Sequence, residues 1–332
     1  MTMPSQRGIS LVEIMVALAV GLFLTAGVVQ IFLGNKQSYR VAEASARIQE
    51  NARFGMEFLT RDLRLAGYMG CSSADPLLDD AEYRETVVQN DIDPAAFADR
   101  FEIGIEGFDA TDGGWEPDLD ASMSGALAGR DAIAVRGAFV AGAVIDDFDE
   151  GVFTLASAWP AGEDEFAVVA SNCATSGMWL HVAEISSETA APTSSGKSEE
   201  YPEQYAEQSE LLPIETRSYY IRNNNSGIPS LYRRIGANNP QELIEGVEDM
   251  QIRYGRDSDG DGAANAFVPA SAGLDWNEVV SVRVCLVFRS IEDNLTTSDT
   301  EPLPCPDSDV DLAGNHLRRV FTTTIGLRNR LP

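Results

Sequence analysis

From Ile9 to Leu33 the chain runs for 25 residues with a single charge, Glu13. A helix of about 20 mostly apolar residues crosses the hydrocarbon of a bilayer, so a run of this length demands lipid or the interior of an assembly. A carboxylate at the centre of a membrane costs roughly 2.5–3.5 kcal/mol, and less towards either end, so Glu13 calls for a compensating partner. A secretory signal peptide has a shorter apolar region, about 7–15 residues, closed by a small-residue cleavage site. A plain transmembrane anchor satisfies the length and leaves Glu13 unexplained.

The helical pattern continues past Leu33. No proline occurs between Pro4 and Pro76, so one helix over residues 9–66 is allowed. Val41, Ala44, Ile48, Ala52, Gly55 and Leu59 recur every three or four residues, and Phe58 widens the stripe. Arg40, Glu43, Arg47, Glu50, Arg53, Glu57, Arg61 and Asp62 read as polar faces with near-neighbour ion pairs. At 1.5 Å per residue such a helix is roughly 85 Å long. Its first half, 9–33, suits a membrane. The second half, 34–66, must dock its stripe on another surface, most simply the remainder of the chain.

That remainder divides by composition. Residues 67–130 are acidic and broken by Gly, Asp and Pro, which predicts a long surface connection with one short helix near 93–101. From 131 to 332 strand signals accumulate in "DAIAVRG", "GVFTLA", "EFAVVA", "MWLHVAEI", "TRSYYIR", "PSLYRRI", "DMQIRYG", "VVSVRVCLVF" and "LRRVFTTTIGL". Their apolar–polar alternation predicts an antiparallel sheet with one buried face. The fold class is therefore α+β: a long N-terminal helix across an antiparallel sheet, with long inserted loops. Residues 186–213 are polar and predict a mobile loop.

The balance of 52 acidic to 24 basic residues gives a net charge of −28. That charge repels phosphate backbones, which argues against nucleic-acid binding and leaves cations as partners. The four cysteines, Cys71, Cys173, Cys285 and Cys305, form no CxxC and fit structural disulfides in an oxidising compartment, with four buried thiols in a cytosolic protein as the alternative. Sequence alone permits three pairings.

"QRGISLVEIMVALAVGLFLTAGV" resembles the type IV pilin leader: a short basic prefix, Gly8 as its last residue, an apolar first mature residue, Ile9, and a glutamate, Glu13, at mature position five. The resemblance implies a leader over 1–8 cut after Gly8 by a prepilin peptidase, N-methylation of Ile9, and packing in a filament. There the freed amine of one subunit neutralises Glu13 of a neighbour, where an unpaired charge would be costly. Position one is more often phenylalanine in that family, so Ile9 is a departure. "RIQENARFGMEFLTRDLRLAGYMGC", "VEDMQIRYGRDSDGDG", "WNEVVSVRVCLVFRS" and "LRRVFTTTIGLRNR" together resemble the PilW-type minor pilins.

By that resemblance the chain is a non-enzymatic minor pilin that joins other minor pilins and the major pilin in initiating filaments near the tip. It implies an inner-membrane, single-pass precursor with a periplasmic C-terminal domain, later part of the extracellular pilus. It also implies disulfides Cys71–Cys173 and Cys285–Cys305. A minor pseudopilin of type II secretion and a membrane-anchored periplasmic adhesin or receptor are the rival readings.

Motifs for chemistry are few. "SGKS" at 195–198 lacks the first glycine of a phosphate loop, since position 191 is Ala191. His181 and His316 stand far apart, and neither GxSxG nor HExxH occurs. "DSDGDGAANAF" is a stronger signal. Asp257, Asp259 and Asp261 occupy loop positions one, three and five of a calcium loop, the Ala263 carbonyl position seven and Asn265 position nine. Position twelve is Val268 in place of the bidentate glutamate, with Asp275 or water as substitutes. An ion-free Asp-Gly turn between strands is the alternative.

Overall fold

The computed structural model describes residues 10–70, 96–149, 152–160, 164–172, 177–192, 209–296 and the greater part of 305–330. A single helix, α1 (Leu11–Arg64), runs for 54 residues. Ser10 caps its start by accepting the Glu13 amide N–H on its hydroxyl at 3.2 Å, the Ser-x-x-Glu pattern of a capping box. The helix ends where Gly67 takes a left-handed φ of 72° and donates its N–H to the Arg136 carbonyl at 2.8 Å. Glycine reaches that conformation without a Cβ penalty.

Two antiparallel sheets follow. The first contains β1 (Ile105–Thr111), β2 (Gly114–Glu116), β3 (Ala132–Gly137), β4 (Ala143–Asp149), β5 (Val152–Leu155), β6 (Asp164–Asn172), β7 (Gly177–Ser186), β8 (Thr189–Pro192), β9 (Glu210–Asn223), β10 (Pro229–Ile235) and β11 (Gln241–Glu245). Strand order is β2-β1-β3-β9-β4-β5-β8-β7-β6, and β6 pairs back onto β9. The first residues of β9 thus close a ring with β4, β5, β8, β7 and β6, while its second half lies between β3 and β10. Closing a ring removes edges that would otherwise pair with other chains. The second sheet is β13 (Ala266–Val268), β12 (Val247–Arg256), β14 (Val279–Arg289) and β15 (Arg318–Gly326), in that order.

The core forms where the second half of α1 meets both sheets. Ile48, Ala52, Leu59 and Leu63 from the helix pack with Ile133, Tyr219 and Ile221 of the first sheet and with Ile252, Val284, Leu286 and Phe288 of the second. Val41, Ala44 and Phe58 pack against the rim of this cluster. Gly55 keeps the helix close to the sheet, since a Cβ there would stand 3.3 Å from the Phe288 ring. The faces of the second sheet alternate accordingly: Phe288 and Phe321 meet edge-on at 5.6 Å on the helix side, while the Cys285–Cys305 disulfide lies on the far side with Val287, Val320 and Leu312.

Several expectations need correction. The single sheet is two sheets, because β11 ends at Gly246 (φ 81°) and β12 starts a new pairing with β14. The connection 67–130 contains β1 and β2, whose Gly-rich and Asp-rich sequence conceals strand pairing that only β3 completes. Residues 93–101 provide a single 3-10 turn, Phe97–Asp99, among the described residues. The polar stretch 186–213 contributes β8 and the start of β9. Asp62 does not belong to the polar face: it is completely buried.

Candidate functional site

Among the described residues nothing covers the apolar half of α1. Leu11 is 74% exposed, Phe23 81% and Phe32 65%. It is the one helix among the described residues long and apolar enough to cross a membrane, and none of that stretch is buried. Monomeric soluble proteins rarely expose contiguous apolar patches beyond a few hundred Å². A helix bare on every side is made to be covered by lipid or by other helices. Glu13 projects from its first turn, with its backbone N–H held by Ser10. The cut-site residues Gly8 and Ile9 lie outside the described residues.

The same helix is clamped at its other end by a buried ion pair. Arg217 of β9 donates from Nη1 to both carboxylate oxygens of Asp62, at 3.0 and 2.9 Å. The Tyr219 hydroxyl donates to the same carboxylate, and Arg61 adds a contact at 3.3 Å. Arg217 also stacks 4.3 Å over the Phe139 ring and pairs with Glu215. Burial pulls the Arg217 pKa down, but Glu215 and then Asp62 outweigh it and raise the net value. Burial, reinforced by the Asp62 charge, raises that of Tyr219. Further along, Arg40 binds Glu292 at 2.9 Å and Gln37 donates to the Asn294 carbonyl at 3.3 Å, extending the dock towards the start of the amphipathic half.

A second buried carboxylate joins the two sheets. Asp131, just before β3, accepts the N–H of Ala110 in the first sheet at 2.8 Å and that of Ile252 in the second at 2.7 Å. Its own N–H donates to the Met250 carbonyl at 2.9 Å. Burial raises its pKa to about 7, against the pull of those two amides and of Arg253. Gly107 of β1 lets Tyr254 of β12 approach, since a Cβ there would overlap the phenol. Two more ion pairs stiffen the frame: Glu106 with Arg136 at 2.6 Å, and Glu248 with Arg318 at 2.6 Å and Arg289 at 3.3 Å. Sequence reasoning missed these residues. The one available signal was Asp62 falling three residues after Leu59, on the edge of the apolar stripe.

The acidic loop between β12 and β13 brings Asp257, Asp259 and Asp261 together, with one carboxylate oxygen of each within 4.8 Å of the others. Asp257 accepts the N–H groups of Gly260 and Gly262, each at 2.7 Å. Burial would raise its pKa, but these amide bonds prevail and lower it. Asp261 accepts the Ala263 N–H at 2.8 Å. Asn265 turns its amide oxygen to Ser258, at 2.6 Å from the backbone nitrogen, and donates to Asp259 at 3.2 Å. Three clustered carboxylates suit a hard divalent cation. Val268 lies in β13, and the Asp275 carboxylate accepts the Asn277 N–H at the start of the 3-10 turn Trp276–Glu278.

Of the predicted disulfides, Cys71–Cys173 lies outside the described residues. The Cys285–Cys305 bond is present and closes a separation of 20 residues. The "SGKS" stretch and the His181 side chain also lie outside them, and His316 meets the Glu292 carbonyl at 3.2 Å.

Comparisons with known proteins converge on the two ends of the chain. Residues 3–29 match the family model of the prokaryotic N-terminal methylation motif, and residues 218–329 match that of the Type IV Pilus-assembly protein W. The second match begins within β9 and takes in β10, β11 and the whole second sheet. No curated protein matches the sequence. A type IV-like pilin from Thermus thermophilus is 14% identical over 50% of this chain and 85% of its own, with a TM-score of 0.19, too loose a superposition to define the fold.

A bare membrane-length helix, the one such helix among the described residues, continued into a docked half and overlapping a methylation motif, supports a pilin-like protein with an inner-membrane span and a C-terminal domain. Over residues 218–329 the chain is similar to the Type IV Pilus-assembly protein W, and with the methylation motif this similarity supports a minor pilin of the type IV pilus. That similarity implies other pilins and the pilus machinery as partners.

Proposed function

We propose that this minor pilin acts in a complex with other minor pilins that initiates filament growth near the tip, after a prepilin peptidase cuts between Gly8 and Ile9 and the new amine is methylated. The supporting observation is the continuity of α1: one rigid helix carries a half exposed on all sides and a half locked into the globular domain. Pulling the exposed half from lipid into a helical bundle therefore moves the whole domain as a unit. The Glu13 carboxylate, in the first turn of that half, meets the Ile9 amine of an adjoining subunit, which offsets its desolvation. The globular domain stands in the periplasm before assembly. Glu13→Ala is expected to leave membrane insertion and domain stability unchanged while lowering the yield of sheared pili severalfold. Full pilus yield from this variant would contradict the pairing.

The Asp257–Asp259–Asp261 cluster holds a calcium ion in this account, with the Ala263 carbonyl and Asn265 completing the set after Asn265 leaves Ser258. With no glutamate at position twelve the affinity falls in the weak range, about 10⁻⁴–10⁻³ M, of extracellular modules. Calcium at several millimolar is expected to raise the melting temperature of the wild type by a few degrees and that of Asp259→Ala by none. Equal melting temperatures for the wild type with calcium and with chelator would remove the ion from the account.

A further inference from the structure

Among the described residues the far face of the second sheet is only half covered. Around Cys285 and Val287 the 305–312 segment closes over it through the disulfide and Leu312. Beyond that cover a groove of about 410 Å³ opens, lined among others by Gln251, Arg253, Phe267, Arg283 and Thr322. The register sets Arg253 of β12 directly opposite Arg283 of β14, with Thr324 of β15 next in the row. Like charges opposed across a strand pair repel. Arg253 is compensated by Asp109 at 2.8 Å. Arg283 stacks 3.8 Å over Phe267 and donates to the Thr324 hydroxyl at 3.3 Å. It is exposed and makes no ion pair with a carboxylate among the described residues.

The edge beside this groove is β15. Among the described residues β15 pairs with β14 alone. At the two ends of that pairing the Leu317 carbonyl accepts from the Ser290 N–H, and the Leu327 N–H donates to the Val280 carbonyl. Hydrogen-bonded and non-bonded positions alternate in an antiparallel pair, and this register has no bulge. The N–H and C=O groups of Arg318, Val320, Thr322 and Thr324 therefore point away from β14, along a free edge. Such an edge templates another strand. An added strand would set its alternate side chains beside Thr322 and Thr324. Both are short, so an acidic side chain there reaches over them to Arg283.

We propose that the β15 edge and the arginine groove form one docking site for an extended acidic segment of a neighbouring pilin subunit, added as a fifth strand with alternate carboxylates directed at Arg283. The charge pattern favours this occupant: in a chain of net charge −28, the four strands of this sheet carry Arg253, Arg256, Arg283, Arg289, Arg318 and Arg319 against Glu248 and Asp249. That the segment belongs to a neighbouring pilin rests on the pilus reading, whereas the site itself does not. Its test uses no filaments, so the two fail separately.

The probe is a labelled (Thr-Glu)4 peptide titrated into the detergent-solubilised full chain, with (Thr-Gln)4 as the neutral control. The wild type is expected to bind the acidic peptide about tenfold more tightly than the neutral one, as a charge-assisted contact allows. Arg283→Gln, an exposed change, is expected to remove that preference. Thr322→Pro, which deletes an outward N–H, is expected to weaken both peptides. Arg319→Gln, on the same strand but outside the groove, is expected to change nothing. The inference is overturned if the wild type binds neither peptide, if Arg319→Gln and Arg283→Gln weaken binding equally, or if Thr322→Pro leaves the affinity intact.

Discussion

Replacing Asp62 with alanine is expected to destabilise the folded chain by about 3–5 kcal/mol, the usual cost of breaking a buried ion pair from one side. Asp62 and Arg217 have side-chain exposures of 0% and 6%, so solvent cannot take over the lost contact. The variant leaves the guanidinium buried with Glu215 alone and the Tyr219 hydroxyl without its acceptor. In a domain of this size the change corresponds to a fall in melting temperature of about 10 °C. Asp62→Asn, which keeps an acceptor but not the charge, is expected to fall between the two. Arg217→Met combined with Asp62→Leu is expected to recover much of the loss, since an apolar replacement of a buried pair is often nearly neutral. Urea unfolding of the four proteins measures this, and an Asp62→Ala protein within 1 kcal/mol of wild type would contradict the clamp.

The second large effect is a pH dependence centred on Asp131. Its folded-state pKa of about 7 lies above the ordinary aspartate value of 3.8, so the native state binds a proton that the unfolded state releases. Its contribution to stability is then fully present below pH about 4 and is lost as pH rises towards about 7. At 1.36 kcal/mol per unit the loss amounts to about 4 kcal/mol. Asp131→Asn cannot ionise, and its amide group confronts one of the two backbone donors, Ala110 or Ile252, at a fixed cost of about 1–3 kcal/mol. The wild type is therefore expected to exceed the variant in acid and to lose that advantage near neutrality. Because both proteins carry every other carboxylate, their difference isolates this group. Denaturant unfolding at pH 4.5 and 7.5 decides it, and a gap that stays constant between the two values would place the proton elsewhere.

Local chemistry made the helix readable. The absence of proline and the spacing from Val41 to Leu59 specify a helix with one buried stripe, and those residues do face the sheets. Strands with strong alternation or a β-branched run, such as β14 and β15, were equally legible. Strands made only by their neighbours were not: β1, with Gly107 inside it, is ordered by β3, and β4, rich in aspartate, by β5 and β9. The division into two sheets and the ring closed on β9 depend on pairings between residues far apart in sequence, which no window along the chain contains. Asp62 went unread for a related reason. A charged residue at the edge of an apolar stripe is ordinarily solvated, and only the arrival of Arg217 and Tyr219, some 155 residues later, makes its burial favourable. The leader pattern carried function because it is contiguous. The acidic loop was equally visible, and its geometry shows carboxylates already bonded to amides, which composition does not reveal.

In the proposed function the apolar half-helix begins at a new amino terminus and is covered by neighbouring helices in the filament. Intact-mass and N-terminal mass spectrometry of the chain purified from membranes tests this most directly. A polypeptide starting at N-methylated Ile9 is the predicted result; a chain that keeps Met1, or one cut beyond residue 30, would contradict it.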